Sequence, residues 1–230
     1  MKRGKYGLDA PVVVIGYISG GILFSILGII LYSKESWMIN LGIIFLIIGL
    51  YMTYGSKIGK YKMRKKIIQK LSIKGNEIAL DVGCGRGLML NGVASKLNSG
   101  KAYGIDIWNA NDQSGNNYDA VMQNAKIEGT ESKIKVINSD MRKMPFQDGY
   151  FDIIVSSLAI HNLKNNDERK KALLEIARVA KKGCKLAILD LAHIKYYEGI
   201  LSSQGFEIEH IDKFQIQIFP PVKVLYAEKR

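Results

Sequence analysis

The sequence predicts an α/β fold: a doubly wound, mostly parallel sheet of seven strands, preceded by a two-helix transmembrane hairpin. Three observations predict it. Two long stretches without a charge open the chain, Ala10 to Ser33 and Ser36 to Ser56. Behind them, short apolar runs alternate with helix-patterned segments, as in sheets covered on both faces. Finally, a glycine turn, ALDVGCGRGLML at residues 79–90, joins the first of those runs to the first helical segment.

The hairpin comes first, over residues 1–56, with spans at about 11–32 and 37–55. At about 1.5 Å per residue, each is long enough for a hydrocarbon core of about 30 Å. A helix in lipid satisfies its own backbone polar groups, so such uncharged lengths are natural there. A cleaved signal peptide would not be followed by a second span. Lys2, Arg3 and Lys5 precede the first span, and Lys57, Lys60, Lys62, Arg64, Lys65 and Lys66 follow the second, whereas the turn holds only Lys34. The positive-inside rule therefore places both termini and the larger domain in the cytoplasm of a multi-pass cell-membrane protein. Tyr6, Tyr32, Trp37 and Tyr54 fall at the expected interfaces. Gly16 and Gly20 form a small-xxx-small pair that suits close helix approach, although glycine is also simply common in membrane helices.

Residues 57–74 read as a basic juxtamembrane linker helix. Ile58, Tyr61, Ile68 and Leu71 make an apolar stripe under a collar of cations that suits an anionic leaflet; the alternative is a solvated linker. The first 70 residues carry eleven Lys/Arg against two acids, the remainder twenty-two against nineteen. Nearly all of the excess positive charge is thus beside the membrane, which argues against nucleic acid as a partner. Cys84 and Cys184 are too few for a disulfide framework and lack metal-site spacing, and no other metal cluster is present. Both read as reduced, buried thiols.

Residues 75–230 form the cytosolic domain. Strands are expected at 77–82, 101–106, 133–138, 151–157, 184–191, 206–212 and 222–228, and helices at 87–97, 117–127, 166–181 and 195–204. Asn165, Asn166 and Asp167 suit a helix start, and Lys181-Lys182-Gly183 its end. The last two strands lack an intervening helix, so one of them is expected to run antiparallel at an edge. Ligands of such sheets bind beyond the carboxyl ends of the strands.

The glycines are Gly83, Gly85 and Gly87, a G-x-G-x-G spacing rather than the dinucleotide G-x-G-x-x-G. Asp81 stands two residues before the first. A carboxylate there is wrong for a pyrophosphate and right for a ligand with a cationic part. Over about residues 65–230 the chain resembles the class I S-adenosylmethionine-dependent methyltransferases. ALDVGCGRG is similar to their first motif; Asp106, with Ile107 behind it, stands where an acid takes the ribose hydroxyls. Ser139-Asp140-Met141 resembles the adenine-binding segment. Pro145-Phe146 and FDIIVSSLAIHNL resemble the fourth motif, with Ser157 and Leu158 beside the methionine part. The resemblance implies S-adenosyl-L-methionine as cofactor, held by Asp81, Gly83, Cys84, Gly85, Gly87, Asp106, Ile107, Asp140, Met141, Ser157 and Leu158. GIDIWNANDQSGN and IFPPVKVLYAEK resemble a narrower group of small methyltransferases that often carry a membrane hairpin.

Methyl transfer from a sulfonium rests mainly on alignment in a dry pocket. A base is required only where the acceptor loses a proton. His161, after the fourth strand, and His193, at the end of the fifth, are the candidates; the alternative for His161 is a histidine that hydrogen-bonds a loop and shapes the pocket. Asp112 and Gln113 are on a loop beside the cofactor, and Trp108 reads as packing against the next helix. SSLAIHNL lacks the Asn/Asp-Pro-Pro-aromatic segment of base amino-group methylation, and no Pro-Cys pair supports attack at a cytosine. A small acceptor is expected, lipid-soluble such as a quinone, isoprenoid or lipid headgroup. The alternatives are a soluble metabolite, with the anchor serving localisation alone, a non-catalytic cofactor-binding membrane scaffold, or a nicotinamide-dependent oxidoreductase.

Overall fold

The computed structural model describes residues 3–31, 36–108 and 116–230. The expectations for Lys2, Tyr32, the turn at Lys34 and for Asp112 and Gln113 lie outside those residues.

Helices α1 (Pro11–Ile30) and α2 (Ser36–Tyr54) pack against each other as a pair. Both are long and apolar enough to cross a bilayer, and their outer faces, including Val12, Ile15, Leu23, Ile44, Ile47 and Leu50, are exposed. Of the expected pair, Gly20 faces Phe45 of α2, 3.3 Å from a Cβ placed there, but the closest approach is made by other glycines. A Cβ on Gly21 would come within 2.9 Å of the Gly42 carbonyl oxygen, whereas Gly16 faces open space. Gly28 and Gly49 continue the seam against Ile39 and Ile18. The glycines that matter are those on the mutual face, and that face is set by the register of two helices, which neither sequence alone contains.

Helix α2 runs on through a π-helical turn, Gly55–Gly59, into α3 (Lys60–Leu71). The linker is therefore a continuation of the second apolar helix. Met63, Ile67, Ile68 and Leu71 are buried in the main core, while Ile58 is exposed. The apolar stripe faces the domain. Gly92 permits this contact, since a Cβ there would meet Ile68 and Arg64 side chains within 3 Å.

The strands are β1 (Ile78–Val82), β2 (Lys101–Asp106), β3 (Ile134–Asn138), β4 (Phe151–Ser157), β5 (Ala180–Asp190), β6 (Phe206–Ile211) and β7 (Lys223–Lys229). The helices of the domain are α4 (Leu88–Ala94), α5 (Tyr118–Glu128), α6 (Asn166–Val179) and α7 (Ile194–Ser203). The sheet order is β3-β2-β1-β4-β5-β7-β6, parallel from β3 to β5. β7 is the antiparallel strand, but it lies between β5 and β6 instead of at the edge. With β6 outermost, the 212–222 connection is drawn back across the end of the sheet.

Helix α6 begins as its sequence implies, the Asn165 side chain accepting from the Glu168 N–H at 2.9 Å. It ends earlier than expected: Val179 passes directly into β5, and Gly183 sits inside the strand with φ 80°. Two apolar layers, one on each face of the sheet, complete the core.

Candidate active site

The strand order reverses between β1 and β4, where neighbouring connections leave toward opposite faces and open a crevice. A cavity of about 760 Å³ lies there. Of the residues singled out from sequence, Asp81, Gly83, Cys84, Gly85, Asp106, Ile107, Asp140, Met141, Ser157, Leu158 and His161 line it. Two do not. Gly87 is the left-handed cap of α4, packed toward Asn91 and Val121. His193 caps α7 at φ 63° and lines a separate groove with Phe214 and Lys223. The turn after β5 carries it away from the crevice.

Asp81 is 2% exposed. Its Oδ2 accepts from the Leu90 N–H at 2.8 Å, in the first turn of α4. Its Oδ1 is buried and has no hydrogen-bond partner among the described residues. Burial, countered by that N–H and aided by nearby Asp106, pushes the carboxyl up to about 7. An unpaired buried carboxylate is costly, and a cation placed beside it recovers that cost.

The glycine turn contributes space more than donors. Gly83 and Cys84 both donate to the Ile105 carbonyl, at 2.9 and 3.0 Å, and Gly87 donates to the Cys84 carbonyl. Gly85 donates to Asp106 Oδ2 at 2.8 Å. At Gly83, φ is 74° and a Cβ would stand 2.3 Å from that of Ala159, so a side chain is excluded on both counts. Cys84 points into the core, and burial raises its thiol well above the ordinary range. It is a packing residue.

Asp106 ends β2 with its carboxylate fixed from two sides, by Gly85 N–H and by Trp108 N–H at 2.7 Å. A carboxylate offers about four lone-pair sites, and these two bonds use one on each oxygen. Trp108 donates from Nε1 to the Gly85 carbonyl and meets Tyr118, the first residue of α5, edge to face. Asp140 is clamped by Arg142, whose backbone N–H and Nε donate to its Oδ1 at 2.8 and 2.9 Å, and Arg142 also pairs with Glu168. These bonds hold the Asp140 carboxyl below the usual carboxylate range.

His161 lies in a short 3-10 turn after β4. Its Nδ1 is 2.6 Å from Asp190 Oδ1, off the direction of a good hydrogen bond, and its backbone N–H donates to Asp190 Oδ2. Asp190, 1% exposed at the end of β5, also accepts from Tyr197 Oη and the Leu191 N–H. Sequence reading passed over Asp190. Its position at the carboxyl end of a parallel strand was the available signal.

The rest of the lining is of different origin, with an apolar part beside the charged Asp9, Lys60, Arg64 and Arg86. That part comprises Ala10 before α1, Met52 and Ser56 around the end of α2, and Ile218, Phe219, Pro220 and Val222 of the β6–β7 loop. The arm before α1 completes it. Tyr6 is 2% exposed and accepts from Asn91 Nδ2, and Gly4 and Lys5 N–H groups donate to Glu128 and Asn124. Lys60, expected in the outward collar, is buried; it donates to the carbonyls of Tyr6 and Gly7 and to Asp9 Oδ1 at 2.9–3.1 Å. Burial lowers its pKa despite Asp9.

Residues 80–188 match the family model described as "Methyltransferase domain". A SAM dependent methyltransferase from Aquifex aeolicus superposes with a TM-score of 0.59 at 22% identity, covering 73% of this chain and 89% of that one. The fold is a methyltransferase fold. Among curated relatives, sterol 4-C-methyltransferase strm-1 of Caenorhabditis elegans is 33% identical over 57% of this chain and 36% of its own length. The demethylmenaquinone methyltransferase of Lactobacillus johnsonii is 30% identical over 55% of this chain and 49% of its own length. The chain thus spans half or less of the length of these relatives. Within the methyltransferase fold the cavity suits S-adenosylmethionine: an orphaned buried carboxylate oxygen for a cation, a glycine-made hollow and a two-point-fixed carboxylate for hydroxyls are all present in one crevice.

Proposed function

We propose that the chain is a membrane-anchored S-adenosylmethionine-dependent methyltransferase acting on a small lipid-soluble acceptor, with both termini and the domain on the cytoplasmic side. When bound, the cofactor supplies an electrophilic methyl group on sulfur. Asp81 holds its cationic part and Asp106 its ribose hydroxyls. Ile107, Asp140 and Met141 border the adenine, and Ser157 and Leu158 the methionine portion. His161 accepts the acceptor's proton where one must be lost, and Asp190 positions it.

The observation that carries the proposal is the shared cavity. The strand-end carboxylates, the carboxyl-terminal end of α2 and the residue before α1 face the same space. An enzyme for a soluble metabolite has no need of membrane-proximal residues such as Met52 in its acceptor wall. The names of two relatives, acting on a sterol and on demethylmenaquinone, support an acceptor of that class. The exposed apolar faces of α1 and α2 support spanning, because a core helix would hide them.

Full-length protein in lipid nanodiscs, given methyl-labelled S-adenosylmethionine with membrane-lipid extract or with soluble extract, tests this. Label in an organic-extractable product is expected. Label only in the soluble fraction overturns the lipid acceptor, and no cofactor binding overturns the activity.

A further inference from the structure

The loop joining β6 to β7 is long for an antiparallel connection and is held against the end of α2. Gly55 and Gly59 form the seat. A Cβ on Gly59 would fall 1.6 Å from the Gln217 carbonyl oxygen, and one on Gly55 would fall 3.3 Å from the Phe219 nitrogen. Tyr51 Oη donates to the Ile216 carbonyl, and the Tyr51 ring lies 5.4 Å from that of Phe219. At the base of the loop, Lys66 pairs with Asp212 at 2.9 Å and donates to Gln215 Oε1 at 2.8 Å. The loop is therefore tied along its length and cannot be placed independently of α2.

Its outward side chains are nonetheless apolar. Phe214 is 60% exposed and Ile216 66%, whereas Ile218 is 7% exposed and lines the cavity with Phe219 and Pro220. Tyr51 lies six residues before Lys57, the first charge after the span, or about 9 Å along the helix toward the membrane. The loop itself crosses the level of that first charge, with Gln217 against Gly59, two residues past Lys57, and Phe219 against Gly55, two residues before it. Exposed lysines flank that level, Lys57 and Lys62 on the helix and Lys213 on the loop, each worth about 1 kcal/mol against an anionic leaflet.

We propose that the β6–β7 loop is a membrane-dipping rim of the acceptor pocket, with Phe214 and Ile216 in the bilayer interface and Ile218, Phe219 and Pro220 walling the route inward. This rests on the membrane reading of α1 and α2. The loop contributes a third contact with lipid beyond the two spans. A lipid-soluble acceptor then enters along apolar surface without crossing water, between the loop and the end of α2.

Spin labels on Phe214→Cys and Ile216→Cys, in full-length protein reconstituted into phosphatidylcholine–phosphatidylglycerol vesicles, test it by collision with oxygen against a water-soluble nickel chelate. Ile44→Cys in α2 is the lipid reference and Lys170→Cys on α6 the water reference; native Cys84 and Cys184 are buried. Both loop labels are expected to shift from the Lys170 value toward the Ile44 value. Loop labels that match Lys170 while Ile44 reports lipid overturn the rim alone. An Ile44 label that reports water overturns the membrane reading itself. In a second measurement, Phe214→Asp with Ile216→Asp is expected to cut methyl incorporation from lipid extract several-fold with cofactor affinity unchanged. Unchanged incorporation overturns the route.

Discussion

The polar half of the cavity is assembled from the ends of successive strands, whereas its apolar half draws on Ala10, the Met52–Ser56 turn and the Ile218–Val222 loop. The first half is local in sequence. Each carboxylate follows its strand, and the parallel order brings the strand ends together. The second half exists only once the helix pair, the arm and the last loop have docked. On the proposed function the difference divides the labour, with cofactor affinity residing in the first half and acceptor access in the second.

The sharpest test of that division is Asp81→Asn. It removes the unpaired anionic oxygen and is expected to weaken S-adenosylmethionine binding about 100-fold, the loss of a charged hydrogen bond of about 1.5–3 kcal/mol. Calorimetry measures it. Met52→Ala, in the other half, should leave that affinity unchanged. The wild-type affinity should also depend on pH. Asp81 in the free protein titrates at about 7; a cationic ligand requires it ionised, so affinity is full above that value and falls as pH drops through it, with proton release on binding. Stability runs the other way. A carboxyl raised from 3.8 to about 7 contributes stability that is complete below about pH 4 and lost as pH rises through 7. The Asn variant should therefore gain up to about 4 kcal/mol over the wild type at pH 8 and little at pH 4, seen as a higher Tm without cofactor.

Next in size is His161→Gln. Its loss should lower kcat about 100-fold for an acceptor that surrenders a proton, with the cofactor dissociation constant unchanged. Single-turnover kinetics alongside calorimetry separate the two. A fall in cofactor affinity would instead assign His161 to the cofactor half.

A smaller effect is expected for Lys60→Met, which tests whether the arm belongs to the second half. Three oxygens lose their donor. A loss of about 1.4 kcal/mol in arm docking corresponds to tenfold, so the Gly4 and Lys5 amides, which donate to Glu128 and Asn124, should exchange about tenfold faster with solvent.

The same division separates what was legible in the sequence from what was not. Apolar alternation and the turn residues marked all seven strands, because sheet periodicity is a local property. Asp81 and Asp106 were legible because their chemistry and their place after strands coincide. Lys60 was not: six cations within ten residues resemble a solvated collar, and only the docked arm shows that Lys60 turns inward. Gly21 and Gly42 were not legible either, because the pairing face of two uniformly apolar helices depends on a register neither reveals. The insertion of β7 beside β5 is likewise long-range, fixed by the drawn-back 212–222 loop.

The smallest effect should come from Asp140→Asn, and it distinguishes two carboxylates that look alike in sequence. Asp106 accepts a backbone N–H at each of its two oxygens, so an amide in its place turns an NH2 toward one of those donors. Asp140 is tied to the Arg142 guanidinium, and its side chain is about one-third exposed. Its charge is already neutralised, and a partly exposed ion pair is worth about 1 kcal/mol or less. Asn retains the shape and one acceptor oxygen, so cofactor affinity should fall only about two- to fivefold, consistent with that energy. Asp106→Asn should cost at least ten times more by the same calorimetry. If instead the two substitutions cost the same, the Arg142 clamp opens when the cofactor binds, and Asp140 belongs with Asp81 and Asp106 as a direct contact.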